Sequence, residues 1–182
     1  VLWTALVNVT ATGNSLRKSG GCEGCGDAGA VSTQSITSGD GYTEFTVSEA
    51  TLYRGAGLSN GNTNTLLSDI DFAFLLTAGG RAEVREKGVW KSDTSYSAGN
   101  VLRVAVVGGK VQYSKNGVVF YTSVAAPVYP LLVDTTFWSL NSTVTNAIIS
   151  NASGPGPGDT TPPVISSVAA SSCCTTLVLA QV

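Results

Sequence analysis

The sequence predicts an all-β protein in which two antiparallel sheets pack face to face as a jelly-roll β-sandwich. Nearly every segment either alternates apolar and polar residues with a period of two or is a short β-rich run between glycine turns. Between residues 101 and 123, the dipeptides Gly108-Gly109 and Asn116-Gly117 separate three such runs and favour two-residue hairpin turns. Only residues 93–98 suggest a short turn or helix. A chain of strands with no substantial helix is typical of two packed antiparallel sheets.

The strands can be placed one after another along the chain. In the first run, Trp3, Ala5 and Val7 share one face and polar residues occupy the other. Later runs are bounded by glycine-rich or asparagine-rich loops, which indicate turns. The predicted strands cover residues 1–12, 30–37, 42–48, 51–58, 70–77, 81–87, 102–107, 110–114, 118–122, 131–134, 137–140 and 144–150.

The β pattern stops near Asn151, where a run of alternating glycine and proline begins. Such a run cannot form a ladder and is typical of an extended linker. We therefore predict one sandwich domain over residues 1–151, a linker over 152–163 and a second segment over 164–182. The stretch Asp159-Thr160-Thr161-Pro162-Pro163-Val164-Ile165 resembles the entry to a fibronectin type III-like repeat of a modular bacterial surface protein. Because 164–182 is too short to fold alone, this second β module is expected to be truncated or altered.

The composition excludes several classes of function. The formal net charge is -2, which offers no electrostatic surface for nucleic acid. No apolar run approaches the roughly 18 residues that a membrane helix needs, so membrane insertion is not expected. Without histidine, neither a Ser-His-Asp nor a Cys-His mechanism is possible. Charged residues make up only 12%, and polarity comes from Ser, Thr and Asn, which favours a secreted or cell-surface protein.

Cys22 and Cys25 lie in a glycine-rich loop, whereas Cys173 and Cys174 lie in the last segment. A CxxC pair can be half of a zinc site, a redox motif or a small disulfide loop. No histidine exists to complete a mixed zinc site, and the βαβ unit of thioredoxin-like redox proteins is missing. We therefore expect a local Cys22–Cys25 disulfide, with free thiols as the main alternative.

Three stretches of the main domain together resemble concanavalin A-like lectin modules and their SPRY-like relatives. They are Gly41-Tyr42-Thr43-Glu44-Phe45, Asp69-Ile70-Asp71-Phe72-Ala73-Phe74, and the block from Gly99-Asn100-Val101 through the Tyr113-Ser114-Lys115-Asn116-Gly117 hairpin to Tyr121. The resemblance spans about residues 1–150. It implies the sandwich fold and, less specifically, a glycan-binding or adhesive module, because the same fold carries lectins, peptide binders and hydrolases.

A glycan site needs an aromatic platform for the apolar face of a sugar and polar side chains for its hydroxyl groups. Trp3 and Trp138 are expected mainly in the core, although Trp138 is also a platform candidate, and Lys91 is a further polar candidate. The predicted ligand-binding residues are Trp90, Tyr96, Tyr53, Arg54, Asn60, Asn62 and Asn64.

Asp69 and Asp71 raise two further hypotheses. With the asparagine-rich loop they could bind Ca²⁺, as loops do in some lectins, although an ordinary turn cluster is the preferred interpretation and no cofactor is expected. Laminarinase-like glucanases share the fold and place alternating carboxylates on one strand. Here Ala73 and Phe74 stand where the third carboxylate would follow, so we do not expect an enzyme.

The leading hypothesis is a non-catalytic carbohydrate-binding or adhesion module that binds a polysaccharide or glycan. The alternative is a structural or protein-interaction module of an extracellular assembly, for which self-association is possible. A glycan hydrolase is the third and least favoured class.

Overall fold

The computed structural model describes residues 1–150 and confirms the predicted all-β sandwich of two antiparallel sheets. Sheet A has the strand order β1-β4-β13-β6-β7-β8-β9, and sheet B has the order β12-β11-β10-β5-β14-β3-β2. The strands are β1 Trp3–Val7, β2 Val9–Thr12, β3 Ser15–Lys18, β4 Gly29–Ile36, β5 Gly41–Thr46, β6 Arg54–Ser59, β7 Phe72–Leu76, β8 Arg81–Glu86, β9 Val89–Ser95, β10 Val101–Val107, β11 Lys110–Lys115, β12 Val118–Thr122, β13 Leu131–Phe137 and β14 Thr143–Ser150.

The helical content of residues 1–150 is one short 3₁₀ turn, Leu67–Asp69. Nothing helical in this part of the chain has the length and apolarity needed to cross a membrane. The predicted linker and second module over residues 152–182 lie outside the described residues, and the division of the chain there stays a prediction.

The core fills the space between the two sheets. Phe74 of sheet A stands at its centre, edge-on to Tyr113 and Phe45 of sheet B, with ring centroids 5.4 Å and 6.4 Å apart. Edge-to-face pairs at such distances stabilise a fold by about 0.5–1.5 kcal/mol beyond the burial of apolar area. The inward positions of each strand alternate with outward ones, as the period-two pattern predicted.

Two predictions in the N-terminal region are wrong. Residues 1–12 do not form one strand, because Asn8 adopts φ 53° and sends the chain from β1 in sheet A to β2 in sheet B. Apolar alternation continues across that break, so the sequence pattern hides it. The short strand β3 was missed altogether, since its four residues Ser15–Lys18 are too few to show a period.

Two later boundaries also differ from the prediction. Residues 93–98 do not form a helix or isolated turn, because β9 runs through Val89–Ser95 and pairs with β8. A single strand β13, Leu131–Phe137, replaces the two predicted pieces 131–134 and 137–140, lies between β4 and β6, and leaves residues 138–140 outside the strand. In both cases pairing with neighbouring strands outweighs the local polar residues that suggested an interruption.

The outer face of sheet A is partly covered by the segment 60–70, which we call the covering loop. Strand β6 is buried along its whole length, and Gly55 on this strand lies next to Leu67 of the covering loop. A Cβ added at Gly55 would lie 2.9 Å from Thr136 Cγ2 and 3.4 Å from Leu67 Cδ1. The covering loop therefore packs closely over the centre of the sheet and turns outward-facing positions of β13 into buried ones.

Candidate ligand-binding cleft

A cleft of about 160 Å³ lies on the outer face of sheet A, where the covering loop meets β1. Gly29 and Ala30 of β4 and Asp134 and Thr135 of β13 contribute to it from the sheet. The asparagine-rich part of the covering loop lines one side, and β1 lines the other. The residues on these two sides are Asn62, Thr63, Asn64, Thr65, Ala5 and Val7.

Asp134 is the most unusual residue of the cleft. Asp134 is only 2% exposed, and its Oδ1 accepts a hydrogen bond from the Thr135 N–H at 2.7 Å. Oδ2 has no hydrogen-bond partner within residues 1–150. Burial, reinforced by the negative charges of Asp69 and Asp71, raises the pKa of Asp134 to about 7. A buried, unpartnered carboxyl at a cleft is the kind of group that a ligand can satisfy.

Asp69 shapes the loop that faces Asp134. Its Oδ2 accepts hydrogen bonds from the backbone N–H groups of Thr63 at 2.8 Å and Asn64 at 3.3 Å, and its Oδ1 accepts one from the Thr63 hydroxyl at 2.5 Å. Burial opposes the ionisation of Asp69, but these donors outweigh it, so its pKa lies below the usual value. Asn64 Oδ1 in turn accepts from the Leu66 N–H at 2.8 Å.

Asp71 fixes the start of the same loop. Its Oδ2 accepts a hydrogen bond from the Asn60 N–H at 2.6 Å, and its Oδ1 lies 3.2 Å from Lys87 Nζ. The Asn60 amide donates to the carbonyl oxygen of Pro130 at 2.9 Å. Asn60 and Asp71 therefore tie the covering loop to the sheet.

The two aspartates predicted as calcium ligands, Asp69 and Asp71, are in contact with protein donors in this structure. The carboxylate oxygens of Asp69 and Asp71 are engaged by protein donors, whereas Ca²⁺ takes six to eight oxygen ligands. At the cleft, Asp134 Oδ2 remains free within the described part of the chain. Calcium binding by this loop stays a prediction, and the binding chemistry proposed below does not depend on it.

A second cluster lies beside the cleft and holds the glycine-rich loop 20–27. Cys22 and Cys25 form a disulfide with a Cα–Cα distance of 5.5 Å, as predicted. The fully buried Lys18 ammonium donates to the carbonyl oxygens of Cys22 and Cys25, both at 2.8 Å, and to Asp27 Oδ1 at 2.7 Å. It also reaches the carbonyl oxygens of Trp138 at 3.0 Å and Phe137 at 3.4 Å. We call this arrangement the lysine cage.

The lysine cage supports both sides of the cleft. The Thr65 hydroxyl donates to the Gly26 carbonyl at 2.9 Å, which ties the covering loop to the caged loop. On the other side, the Asn8 amide donates to the Asp27 carbonyl at 2.9 Å, directly after Val7 of the cleft. The position of each side therefore depends on the caged loop.

Sequence reasoning missed both Lys18 and Asp134. In Ser15–Lys18 the exposed Arg17 stands beside Lys18, so no single charge stands out there, whereas Asp134 is the one charged residue that interrupts Leu131–Phe137. That interruption was the available signal, because a charge inside a buried run needs a specific partner or a function.

The sequence-predicted site residues do not come together. Asn62 and Asn64 line the cleft, whereas Trp90, which is 51% exposed, lies on β9. Four strand spacings separate β9 from β13, or roughly 19 Å. Tyr53 is exposed at the start of β6, where its carbonyl accepts from the Trp138 N–H.

Arg54 and Tyr96 need a correction, because both are buried rather than available to a ligand. The Arg54 guanidinium donates to the carbonyls of Leu52 and Glu49, both at 2.8 Å, and lies 3.2 Å from Glu49 Oε1. The Tyr96 hydroxyl donates to the Thr77 carbonyl at 2.9 Å. Arg54 takes an inward position of β6 opposite Phe137, so its guanidinium is buried at the end of the sandwich and paired there with Glu49.

No family model and no curated protein matches this chain. Among solved structures, the VIP36 exoplasmic/lumenal domain in its Ca²⁺/Man-bound form matches with a TM-score of 0.60 and 8% identity, covering 84% of each chain. A human SPRY domain matches with a TM-score of 0.56 and 14% identity, covering 78% of this chain and 96% of that one. Alginate lyase AlgAT5 from Polysaccharide Lyase family 7 matches with a TM-score of 0.51 and 14% identity, covering 81% and 82%.

These likenesses establish the fold and nothing finer. The chain is a concanavalin A-like β-sandwich, which agrees with the resemblance of its sequence. A lectin domain, a SPRY domain and a lyase share that architecture, so function has to be argued from the site.

The disulfide gives a direct test of the compartment. In protein purified from its native compartment without reductant, we expect Cys22 and Cys25 to resist alkylation and to react fully after reduction. The loop is short, so its closure stabilises the fold by only about 1–2 kcal/mol, below the typical range for a disulfide. Mass spectrometry of alkylated protein measures this directly, and full alkylation before reduction would contradict both the disulfide and an oxidising compartment.

Proposed function

We propose that this chain is a non-catalytic carbohydrate-binding or adhesion module of a secreted or cell-surface protein, and that the glycan binds in the cleft beside Asp134. The observation that carries the proposal is that Asp134, a buried residue whose Oδ2 has no hydrogen-bond partner within residues 1–150, lines the same cleft as Asn62. A carboxyl and an amide together accept and donate hydrogen bonds to neighbouring sugar hydroxyls.

The rest of the cleft suits a sugar as well. Ala5 and Val7 offer an apolar surface to C–H groups, while Thr63 and Thr65 carry hydroxyls. A ligand without the matching hydroxyl would leave the buried Asp134 oxygen unpaired, so the site discriminates by hydrogen bonding. Trp90 and Tyr53 are proposed as platforms for more distant units of a longer chain, because both are exposed.

Three observations support an extracellular role. The chain has few charged residues and a hydroxyl-rich surface, and the Cys22–Cys25 disulfide persists most readily in oxidising compartments. A structurally similar lectin domain is exoplasmic/lumenal and mannose-bound.

The cleft is less suited to hydrolysis. A glycosidase pairs a carboxylic acid of raised pKa with a second, available carboxylate. Asp134 has the raised pKa, but the nearby Asp69 and Asp71 oxygens are held by Thr63, Asn60 and Lys87. Reducing-sugar release that Asp134→Asn abolishes would favour the hydrolase instead.

A structural or protein-interaction module, capable of self-association, is the second candidate. It is supported by the exposed valines of β12 and β9 and by the structural likeness to SPRY domains. Light scattering that detects defined oligomers, together with no glycan binding, would favour this alternative.

A glycan array with affinity electrophoresis on plant and bacterial polysaccharides tests the leading proposal. For the glycan so identified, we expect Asn62→Ala to weaken binding at least about fivefold, because the substitution removes a hydrogen-bonding partner of the ligand, a loss that is typically about 1–3 kcal/mol. Thr33→Ala is the matched control, since Thr33 is exposed on β4 outside the cleft. If correctly folded protein binds no glycan in either assay, the result would count against glycan binding. If binding depends on Trp90 but not on Asn62, the glycan-binding site lies near Trp90 and not in the cleft.

A further inference from the structure

The disulfide loop, residues 20–27, has no apolar packing to hold it in shape. Glycine occupies positions 20, 21, 24 and 26, and both Gly21 and Gly24 adopt φ 78°, in the left-handed region. None of the residues 20–27 is buried. Because glycine loses more conformational freedom on ordering than any other residue, the loop depends for its order on polar contacts and on the Cys22–Cys25 disulfide.

The disulfide determines where the two cysteine carbonyls point. Both carbonyl oxygens accept a hydrogen bond from the Lys18 ammonium at 2.8 Å, so the bend between them must bring them to one atom. The described contacts between Cys22 and Cys25 are the disulfide and one backbone hydrogen bond of 3.4 Å, which is long for an N–H···O bond. Without the covalent bond, this weak contact alone would join the two cysteines across Gly24.

Two hydrogen bonds connect the disulfide loop to the cleft. The Gly26 carbonyl accepts from the Thr65 hydroxyl at 2.9 Å, and the Asp27 carbonyl accepts from the Asn8 amide at 2.9 Å. Thr65 lines one side of the cleft, and Val7, which precedes Asn8, lines the other. A disulfide loop that loses its shape would therefore release both sides of the cleft.

We propose that the Cys22–Cys25 disulfide is a redox switch, which a dithiol reductant opens, and that its opening loosens both sides of the cleft and weakens glycan binding there. The change in glycan affinity rests on the proposed function. The loosening of the cleft does not, because it follows from the contacts of the disulfide loop alone. Only the fraction of molecules with an ordered cleft binds ligand at full strength, so a loosened cleft lowers the apparent affinity.

The two sulfur atoms differ in their surroundings. Cys22 is exposed and Cys25 is half-buried, so an incoming thiolate reaches Cys22 Sγ more readily. Cys22 Sγ also lies 3.5 Å from Asp27 Oδ2, a carboxylate oxygen that disfavours negative charge on that sulfur. Cys25 is therefore the better leaving thiolate.

The exchange proceeds in two steps. A thiolate of the dithiol attacks Cys22 Sγ and forms a mixed disulfide, while the S–S bond breaks and its electron pair leaves on Cys25. The second thiolate of the reductant then attacks its own sulfur in the mixed disulfide and releases Cys22. Two electrons pass to the protein, the two protons of the dithiol end on the cysteine thiols, and the reductant leaves as a disulfide. Oxidation reverses both steps.

Amide hydrogen exchange by NMR on oxidised and reduced protein tests the switch. The full chain is used with Cys173 and Cys174 replaced by serine, so that Cys22 and Cys25 are the only cysteines present. We expect dithiothreitol to speed the exchange of the Leu66 amide in the covering loop, and of the Gly20 amide that donates to the Asn8 carbonyl, at least about fivefold. Amides of β10 and β11 should be unchanged, and reoxidation should restore the slow exchange.

The same chain with Cys22→Ser and Cys25→Ser is the matched control. It should exchange like the reduced protein whether or not dithiothreitol is present. Exchange at these two amides that reduction leaves unchanged would overturn the switch. Equal acceleration in β10 and β11 would also overturn it, because the disulfide would then stabilise the whole fold rather than the cleft.

Glycan affinity is measured separately on the same samples. For a glycan that the oxidised protein binds, we expect reduction to weaken binding at least about fivefold and reoxidation to restore it. An affinity that reduction leaves unchanged would overturn the control of binding while the proposed function stands. If the oxidised protein binds no glycan but the amides respond to reduction, the proposed function fails and the redox control of the cleft is supported.

Discussion

Replacing Lys18 by methionine is expected to lower the free energy of unfolding by about 3–5 kcal/mol, among the larger single-residue effects that a protein shows. The substitution keeps the length of the side chain but removes the ammonium that binds five oxygen atoms. The backbone carbonyls of the cage and the Asp27 carboxylate would then lack their donor. Urea denaturation followed by tryptophan fluorescence measures the change.

Arg17→Met is the matched control for this experiment. Arg17 is the neighbouring residue of the same strand, but it is exposed and its guanidinium bonds to the Asn141 side chain at the surface. Its replacement is expected to change stability by no more than about 0.5 kcal/mol. Equal effects of the two substitutions would show that the cage contributes no more than an ordinary surface contact.

Asp134→Asn is expected to stabilise the protein at pH 8, by about 2–4 kcal/mol, while abolishing glycan binding. The folded-state pKa of Asp134 is about 7, well above its ordinary value of 3.8, so the fold favours the protonated carboxyl. That contribution is fully present below pH about 4 and is lost as pH rises through about 7, at 1.36 kcal/mol for each unit of pKa difference. Asparagine stays neutral, so the variant should lose this part of the pH dependence.

The measurement is unfolding by urea at pH 5 and at pH 8, with binding assayed in parallel. Asp93→Asn is the control, because Asp93 lies in a partly exposed pair with Arg81 and should contribute at most about 1 kcal/mol. A variant at position 134 that is less stable than the parent at pH 8 would contradict the buried, unpaired state of this carboxyl. Gained stability with unchanged binding would instead separate Asp134 from the proposed glycan site.

The sandwich itself could be predicted because it depends on local signals. Period-two alternation set the inward faces of β5, β10 and β11, and the turns at 108–109 and 116–117 fixed two hairpins. The Cys22–Cys25 disulfide was likewise predictable, since its two residues are three apart in a glycine-rich loop. Asn62 and Asn64, which were named as polar partners for a glycan, line the cleft, and their contact with a ligand stays a prediction.

The remaining site residues depended on which segments pack over which faces. Arg54 was predicted at a surface, but the register of β6 turns it inward at the end of the sandwich. Trp90 lies on β9, four strand spacings from β13 of the cleft. Nothing in the sequence indicates this separation between Trp90 and the asparagines of the cleft.

The sequence by itself determined the fold class, the hairpins and the disulfide, because each follows from residues that are neighbours along the chain. Only the tertiary structure decided that Asp134 is buried and that Lys18 is caged. Alternation assigns a residue to a face of a sheet, but it does not state what covers that face. Here Leu67 of the covering loop packs next to Gly55 of β6, and residues more than a hundred positions apart surround the Lys18 ammonium.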